Sequence, residues 1–441
     1  MFETDTWEQL RHFRQALYDG LGLRQDSLFE LVDAALTAAH RSTLVRLSLT
    51  AAFRRRWPST CDALADGSVD MAALRRLFAP TLADAAMVDG RPLWVIDGTT
   101  WPRPSARASA ERTWEHRPLP GWPQSGMVPA WAYQWLVAVP EAAGSWVLPL
   151  DVQRRGPTAK TATEVALEQI AAVRHAQEAD APRPVVTLDS GYDLESLATA
   201  TVDADLLVRL AKNRVLFRSP EQRPGRGRPR RHGEPFRLVD ESTHGQPHHS
   251  LTVRHAAYGT VRIDAWTDLH VRYAPTAKAS VIRVHVERLP NKKLPPRPLW
   301  LAWIGGPLPT DLSVLWHWYL RRFTVEHAFR FLKQTLGWTT VRPRHAPAAD
   351  RWSWLIAGAC WQLWLARAVV GEVRLPWERP RSDGLVTPGQ VQRHFTGILL
   401  RVGTPTRAPR RRGKSPGRQK GCRLTPPLHY QVARRAPPHA A

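Results

Sequence analysis

Acidic, basic and phenolic side chains recur at helical spacing in one segment of the sequence. Tyr319, Arg322, Glu326 and Lys333 follow one another at intervals of three, four and seven residues. At about 100° per residue these side chains fall within one sector of a helix, about 60° wide. An exposed helix face with an ion pair would explain only Arg322 and Glu326, which stand in the less favourable order for such a pair. The spacing therefore indicates one helix face that directs an acid, two bases and a phenol to a single place.

Two further carboxylates, Asp97 and Asp189, each follow a short apolar run that is typical of a buried strand. The runs are Leu93–Ile96 and Val185–Leu188. An aspartate at the carboxyl end of a strand in an open α/β sheet points into the crevice where ligands bind. Taken alone, each aspartate is better explained as an ordinary turn or capping residue. The helix face that carries Glu326 together with basic residues makes the other explanation better, namely that both aspartates belong to one site with Glu326.

The elements expected to position these residues alternate between helices and strands. Residues 1–88 have the apolar spacing of helices and predict an N-terminal helical domain. Residues 89–212 predict the first part of an α/β core with a mixed sheet. Alternating patterns over 213–304 predict a β-rich insertion, and 305–371 predict the second part of the core with the Glu-bearing helix. Residues 372–441 predict a basic, partly disordered C-terminal region.

Two helices are predicted in the second part of the core. The first is one long helix that carries Glu326 and runs from Asp311, as its N-cap, to about Leu336. The second contains the apolar run Trp354–Val370, which Gln362 and Arg367 interrupt. That run is shorter than the ~20 apolar residues of a membrane span. We therefore expect a buried helix there and no membrane partner.

The composition excludes several classes of protein. Hydrophobic residues make up 43% of the 441 residues, which excludes disordered, collagen-like and fibrous chains. The formal net charge is +23. Three scattered cysteines exclude a disulfide scaffold and a cysteine-type zinc cluster. The acidic start of the chain lacks the features of a secretory signal. These observations predict a cytoplasmic protein with a polyanionic partner.

Two basic segments are candidates for contact with that partner. Residues 401–441 carry eleven Lys and Arg and no acidic residue, and Arg410–Lys420 predicts a flexible tail that neutralises phosphates. A solvated tail without function is an equal alternative, and we expect deletion of 401–441 to cost the fold little. Arg226 and Arg228 belong to an R-G-R-P core like that of minor-groove hooks. A generic basic loop is the slightly better explanation of that core.

Three blocks of the sequence resemble bacterial insertion-sequence transposases with a DDE active site. The segment Tyr319–Lys333, Y-L-R-R-F-T-V-E-H-A-F-R-F-L-K, resembles that family's Tyr-(2)-Arg-(3)-Glu-(6)-Lys signature. Leu93–Thr99 and Asp189–Tyr192 resemble the blocks around its first and second Asp. The strand-rich stretch over 210–311 is similar to its insertion before the Glu-bearing helix. The resemblance covers about residues 89–371.

This resemblance implies a ribonuclease-H-like catalytic core and a DNA transposase that cleaves and joins the ends of its element. Three carboxylates repel one another and are stabilised by divalent cations, and Mg²⁺ prefers oxygen ligands. Two such ions, roughly 4 Å apart, activate a water or a 3′-hydroxyl and stabilise the leaving oxygen. We therefore expect two Mg²⁺ ions, replaceable by Mn²⁺. Asp97 is expected to bridge both ions, and Asp189 and Glu326 each to complete the ligand shell of one.

The resemblance also implies partners. Tyr319, Arg322 and Lys333 would hold phosphates of the transposon end, and Trp300 or Trp303 would stack on a flipped base. The implied partners are double-stranded transposon-end and target DNA, bound by a homodimer in the nucleoid. Two alternatives stay open: a catalytically inactive DNA-binding derivative of a transposase, and a metal-dependent nuclease without strand transfer.

Overall fold

Apolar residues at helical spacing form helices at both ends of the chain. A computed structural model describes residues 2–81, 87–116, 126–157, 160–221, 230–290, 295–371, 374–378, 386–410, 417, 419, 421–422 and 426–434. Its helices are α1 (Phe2–Asp19), α2 (Gln25–Thr37), α3 (Leu44–Leu47), α4 (Pro58–Asp66), α5 (Met71–Thr81), α6 (Ala162–His175), α7 (Leu194–Thr199), α8 (Ser313–Arg321), α9 (Thr324–Gln334), α10 (Ala346–Ala366) and α11 (Pro388–Val402). Five of these helices, α1 to α5, lie in the segment 1–88 for which the sequence predicts a helical domain.

Runs of apolar and alternating residues form the strands between these helices. They are β1 (Leu93–Pro102), β2 (Thr113–His116), β3 (Met127–Val139), β4 (Leu148–Arg155), β5 (Val185–Leu188), β6 (Asp205–Arg209), β7 (Val215–Phe217), β8 (Pro235–Arg237), β9 (His249–His255), β10 (Gly259–Val271), β11 (Ala274–Val286) and β12 (Leu299–Ile304). The mixed α/β class predicted from the sequence is confirmed.

Within the described residues all these strands belong to one sheet of twelve. Its order is β2-β3-β1-β5-β6-β12-β11-β10-β7-β8, with β4 beside β3 and β9 beside β10. β1 is antiparallel to β3 and parallel to β5, and β5 is parallel to β6. β12 is antiparallel to both β6 and β11. The strand-rich segment therefore continues the core sheet through β12.

The first catalytic candidate lies inside a strand, which corrects the expectation that this strand ends at Asp97. The pairing of β1 with β5 ends at Val95, opposite Thr187. The antiparallel pairing with β3 continues through Asp97 as far as Pro102. The sheet thus opens on one side of β1 only, and Asp97 lies where β1 and β5 separate.

The single long helix predicted over 311–336 is interrupted at Arg322 and Phe323. The amides of these two residues donate to carbonyls three residues earlier, at 3.2 Å each, and Val325 and Glu326 do the same at 3.1 and 3.2 Å. Such 3₁₀ geometry within a helix marks a hinge or a constrained segment. Neither glycine nor proline occurs at the break. It coincides instead with Arg322, whose side chain is held by two carboxylates of the sheet.

The N-terminal helices pack against α10 in a core that is continuous with that of the sheet. Phe78 of α5 stacks on Trp354 and Trp361 of α10, with ring centroids 6.2 and 5.8 Å apart, and Phe13 of α1 lies beside it. The predicted burial of this apolar helix is confirmed, since nearly all of its residues are buried. In the part of the chain that the structure describes, no helix meets the length and apolarity of a membrane span.

The C-terminal region returns to the fold at two places, although the sequence predicts that deletion of 401–441 costs the fold little. Arg54 and Arg55 donate to the carbonyls of Thr406 and Arg407 at 3.1 Å each. Further along, Tyr430 and Ala433 donate backbone bonds to 107–112 at 2.9 Å each. The buried carboxylate of Glu30, which attracts Arg54 and Arg55, explains the first return. Most of the predicted tail Arg410–Lys420 lies outside the described residues.

A pair of truncations tests the first return. Chains ending at Arg410 and at Val402 both lack the second return, so they differ only in residues 403–410. We expect the shorter chain to be less stable by about 2 kcal/mol or more, because hydrogen bonds to charged groups contribute about 1.5–3 kcal/mol each. Urea denaturation of both chains measures the difference. Equal midpoints would mean that 403–410 contribute nothing to the fold.

Candidate functional site

The two predicted aspartates meet at the point where β1 and β5 separate. Asp97 continues β1 opposite Trp135 of β3, and Asp189 directly follows the last residue of β5. One oxygen of each carboxylate accepts a backbone bond: Gly98 donates to Asp97 Oδ1 at 2.8 Å. Ser190 donates to Asp189 Oδ1 at 2.6 Å. Both side chains are thereby held at the same edge of the sheet.

Arg322 joins these two carboxylates. Its Nη2 atom lies 3.2 Å from Asp97 Oδ2 and 3.3 Å from Asp189 Oδ2. The Arg322 side chain is 5% exposed, against 19% for Asp97 and 39% for Asp189. The break between α8 and α9 lets this arginine reach the sheet, and a single nitrogen bridges the two acids.

Glu326 lies in the first turn of α9 and its side chain is exposed. Burial raises the pKa of the Asp97 carboxyl, and the negative charges of Asp189 and Glu326 add to the rise. The Arg322 guanidinium and the Gly98 amide oppose it. The three predicted carboxylates therefore interact electrostatically around Asp97, which is where a cation is most stabilising.

Lys333 and Tyr319 lie on either side of this centre. Lys333 of α9 donates to the hydroxyl of Thr99, two residues beyond Asp97 on β1. Tyr319 of α8 is 2% exposed, and burial raises the pKa of its phenol while the charges of Arg209 and Arg322 oppose the rise. The four residues predicted to share one helix face thus lie near one region of the sheet. They belong, however, to two helices and to the break between them.

A family model described as DDE superfamily endonuclease matches residues 16–272, more than half of the chain. The chain belongs to the DDE superfamily endonucleases. The matched stretch contains Asp97 and Asp189 and ends before Glu326. No curated protein matches the chain.

Membership in this superfamily supports a nuclease or transposase type of activity and DNA as a partner. Superfamily endonucleases generally use divalent metals. Among the described residues of this member, no three His, Cys, Asp or Glu side chains lie close enough together to hold a metal ion. The metal-ligand set predicted from the sequence stays a prediction.

The aspartate pair nevertheless fits a divalent cation. Asp97 Oδ2 and Asp189 Oδ2 already share one positively charged nitrogen of Arg322, and carboxylate oxygens are the ligands that Mg²⁺ prefers. The two oxygens that would hold an ion are those that Arg322 holds. Arg322 thus supplies a positive charge that offsets the repulsion between the two aspartates.

Trp300 and Trp303 lie in the packed interior rather than beside the carboxylates. Trp300 is 6% exposed in a cluster with Trp266 and Phe236. Trp303 is 2% exposed, stacks on Trp318 and donates to the carbonyl of Gly306 at 2.8 Å. These positions offer neither indole to a base as they stand, and the base-stacking role stays a prediction. Arg226 and Arg228 lie outside the described residues.

Arg209 is a site residue that the sequence reasoning missed. It ends β6, and its Nη1 lies 4.0 Å from Asp189 Oδ1 with the side chain 48% exposed. β6 is parallel to β5, so the carboxyl ends of both strands lie at the same edge. The rule that selected Asp189 would have selected Arg209 as well, had it been applied to basic residues. Arg209 adds an accessible positive charge at the mouth of the site.

Proposed function

We propose that the protein is a DNA transposase that cleaves and joins the ends of its element with two Mg²⁺ ions. The observation that carries this proposal is that Asp97 and Asp189 meet at one nitrogen of the Arg322 guanidinium. Glu326, on the adjoining helix, lies close enough for its negative charge to add to the raised pKa of Asp97. Two aspartates and a glutamate in that chain order are the carboxylates of a DDE active site. The Tyr-(2)-Arg-(3)-Glu-(6)-Lys spacing of Tyr319–Lys333 supports the transposase assignment within the superfamily.

The strand order supports a ribonuclease-H-like core. The strands β4, β3 and β1 are successive antiparallel neighbours, and β5 and β6 continue the sheet in parallel with β1. In this proposal the segment β7–β11 is the family's insertion, although its sheet is continuous with the core through β12. The core is then completed by α8 and α9, which bring Arg322 and Glu326 over its edge.

The residues of the site have distinct tasks in this proposal. Asp97 and Asp189 would hold one ion between them, and Asp97 and Glu326 the other. The bound ions supply activation of the attacking oxygen and stabilisation of the leaving oxygen at phosphorus. Lys333, placed beside Thr99 on β1, would neutralise a phosphate of the bound strand. Arg209 would attract the DNA backbone to the mouth of the site.

An assay for cleavage and joining tests the proposal. The protein is incubated with a plasmid that carries the candidate terminal repeats of its element, with Mg²⁺ and with EDTA. Excised ends joined to target DNA in the Mg²⁺ reaction are the expected result. Cleavage without joining would favour a metal-dependent nuclease, and DNA binding without cleavage would favour an inactive derivative. Light scattering of the DNA complex tests the proposed homodimer, which predicts two protein chains per complex.

Lys333→Ala is expected to weaken DNA binding. Loss of a charge-assisted phosphate contact costs about 1.5–3 kcal/mol, and the slope of log affinity against log salt should fall by about 0.9. Fluorescence anisotropy with a labelled duplex at several salt concentrations measures both. Lys333→Arg, which keeps the charge, should retain most of the affinity. Unchanged affinity and slope in Lys333→Ala would mean that this lysine only supports the fold through Thr99.

A further inference from the structure

We propose that Arg322 is an internal counter-cation of the aspartate pair, which a divalent metal displaces, and that the displaced guanidinium then binds a DNA phosphate. Metal binding would in this way prepare the protein to hold its DNA. The inference rests on the proposed function, because it assumes that Asp97 and Asp189 are metal ligands. It adds the order in which the metal and the phosphate are bound.

The competition follows from which oxygen atoms are engaged. Each aspartate commits Oδ1 to a backbone amide, that of Gly98 for Asp97 and that of Ser190 for Asp189. The remaining pair, Asp97 Oδ2 and Asp189 Oδ2, is held by Nη2 of Arg322. An ion held by the two aspartates would compete with Arg322 for these carboxylates, and its positive charge would repel the guanidinium. The metal and Arg322 therefore exclude each other from this position.

Arg322 is also unable to contact DNA from its present, buried position. The residue is 4% exposed, and its Nε atom is buried without a hydrogen-bond partner in the structure described. A guanidinium has five N–H donors in a planar fork, which suits bidentate binding of a phosphate. The buried position satisfies the aspartates and leaves part of this donor set unused. A second position of the guanidinium, facing the DNA, would use the remaining N–H donors.

The interruption of the helical backbone at Arg322 would allow such a movement of the side chain. Arg322 and Phe323 form the break between α8 and α9, where i→i−3 bonds replace the regular helical pattern. The side chain of Phe323 is 42% exposed, so this turn lies at the surface. Glu326 follows in the first turn of α9. An adjustment at this break would both release Arg322 and move Glu326 relative to Asp97.

Titration of the metal-free protein with Mn²⁺ tests the competition. We expect Arg322→Ala to bind Mn²⁺ roughly tenfold more tightly or more, the size of a typical coupling between two sites. Its melting temperature should be lower than that of the unchanged protein without metal and should rise further on Mn²⁺ addition. Arg322→Gln is the second variant, since it keeps most of the side-chain length without the charge and serves if Arg322→Ala does not fold. Equal or weaker Mn²⁺ binding by the folded variant would overturn the proposal.

Arg209→Ala is the matched control. Arg209 also lies beside Asp189, but it is half exposed and does not lie between the two acids. Its removal should change Mn²⁺ affinity much less than removal of Arg322. An increase as large as that of Arg322→Ala would show a general effect of positive charge, and the specific competition would be wrong.

DNA binding gives the second measurement. Affinity for a random-sequence duplex is measured with EDTA and with Ca²⁺. Ca²⁺ should raise the affinity of the unchanged protein severalfold, and the gain should be smaller in Arg322→Ala. An equal gain in both proteins would overturn the transfer of Arg322 to the phosphate.

These outcomes separate the inference from the proposed function. If the unchanged protein binds no Mn²⁺, or if the Asp97→Asn variant binds Mn²⁺ as tightly as the unchanged protein does, the proposed metal site itself is wrong. If Mn²⁺ binding depends on Asp97 but is insensitive to Arg322, the metal site stands and only the counter-cation role fails.

Discussion

Replacement of any one carboxylate of the site should abolish metal-dependent cleavage while leaving DNA binding nearly intact. We expect Asp97→Asn, Asp189→Asn and Glu326→Gln each to lower the cleavage rate roughly 10³-fold or more, as losses within a catalytic set that acts as a unit do. Each change keeps the shape of the side chain but removes a negatively charged ligand. DNA affinity should persist, because in the proposed function basic residues such as Lys333 and Arg209, and not the carboxylates, hold the phosphates.

Asp203→Asn is the matched control for this series. Asp203 is an exposed carboxylate that precedes β6, at the opposite end of the strand from the site. The Asp203→Asn variant should cleave DNA at the rate of the unchanged protein. Cleavage near that rate by any of the three site variants would remove that carboxylate from the proposed catalytic set. Melting temperatures of all variants distinguish lost chemistry from lost structure, which matters most for Asp97 and Asp189 because both hold Arg322.

Arg14→Met should strongly destabilise the protein. Arg14 of α1 donates to both oxygens of Asp33 of α2, at 2.8 and 3.0 Å. It also donates to Gln362 of α10 and to the carbonyl of Gly403 at 3.0 Å. The two charged side chains are only 2% and 1% exposed. Removing one partner of such a buried pair leaves an uncompensated charge and costs about 3–5 kcal/mol.

A double variant and a surface variant make this prediction specific. Arg14→Met combined with Asp33→Leu removes both charges and should regain most of the lost stability. Arg11→Met breaks an exposed ion pair with Glu8 on the same helix, and exposed pairs of this kind contribute about 0–1 kcal/mol. The free energy of unfolding from urea denaturation measures all three. A small loss in Arg14→Met would mean that this buried pair contributes little to the stability of the fold.

Features set by neighbouring residues could be predicted from the sequence. The strand Val185–Leu188 is found at its predicted bounds, because four buried apolar residues between turns leave little choice. Local spacing likewise accounts for α6, whose start is fixed by a capping box that Thr161 and Glu164 form three residues apart. Asp97, Asp189 and Glu326 were predicted as one set from strand ends, helix spacing and the resemblance to DDE transposases. The structure brings them within electrostatic reach of one another.

The tertiary structure decided what depends on partners distant in the chain. Arg322 meets Asp97 across 225 residues, and this contact coincides with the break that separates α8 from α9. Arg14 meets Gln362 across 348 residues. The union of the strand-rich segment with the core sheet likewise depends on β12 pairing with β6. Apolar periodicity reports which face of an element is buried, but it does not specify which buried charge will lie opposite which. That choice belongs to the folded arrangement, since a buried ion pair is stable only when its geometry satisfies both partners.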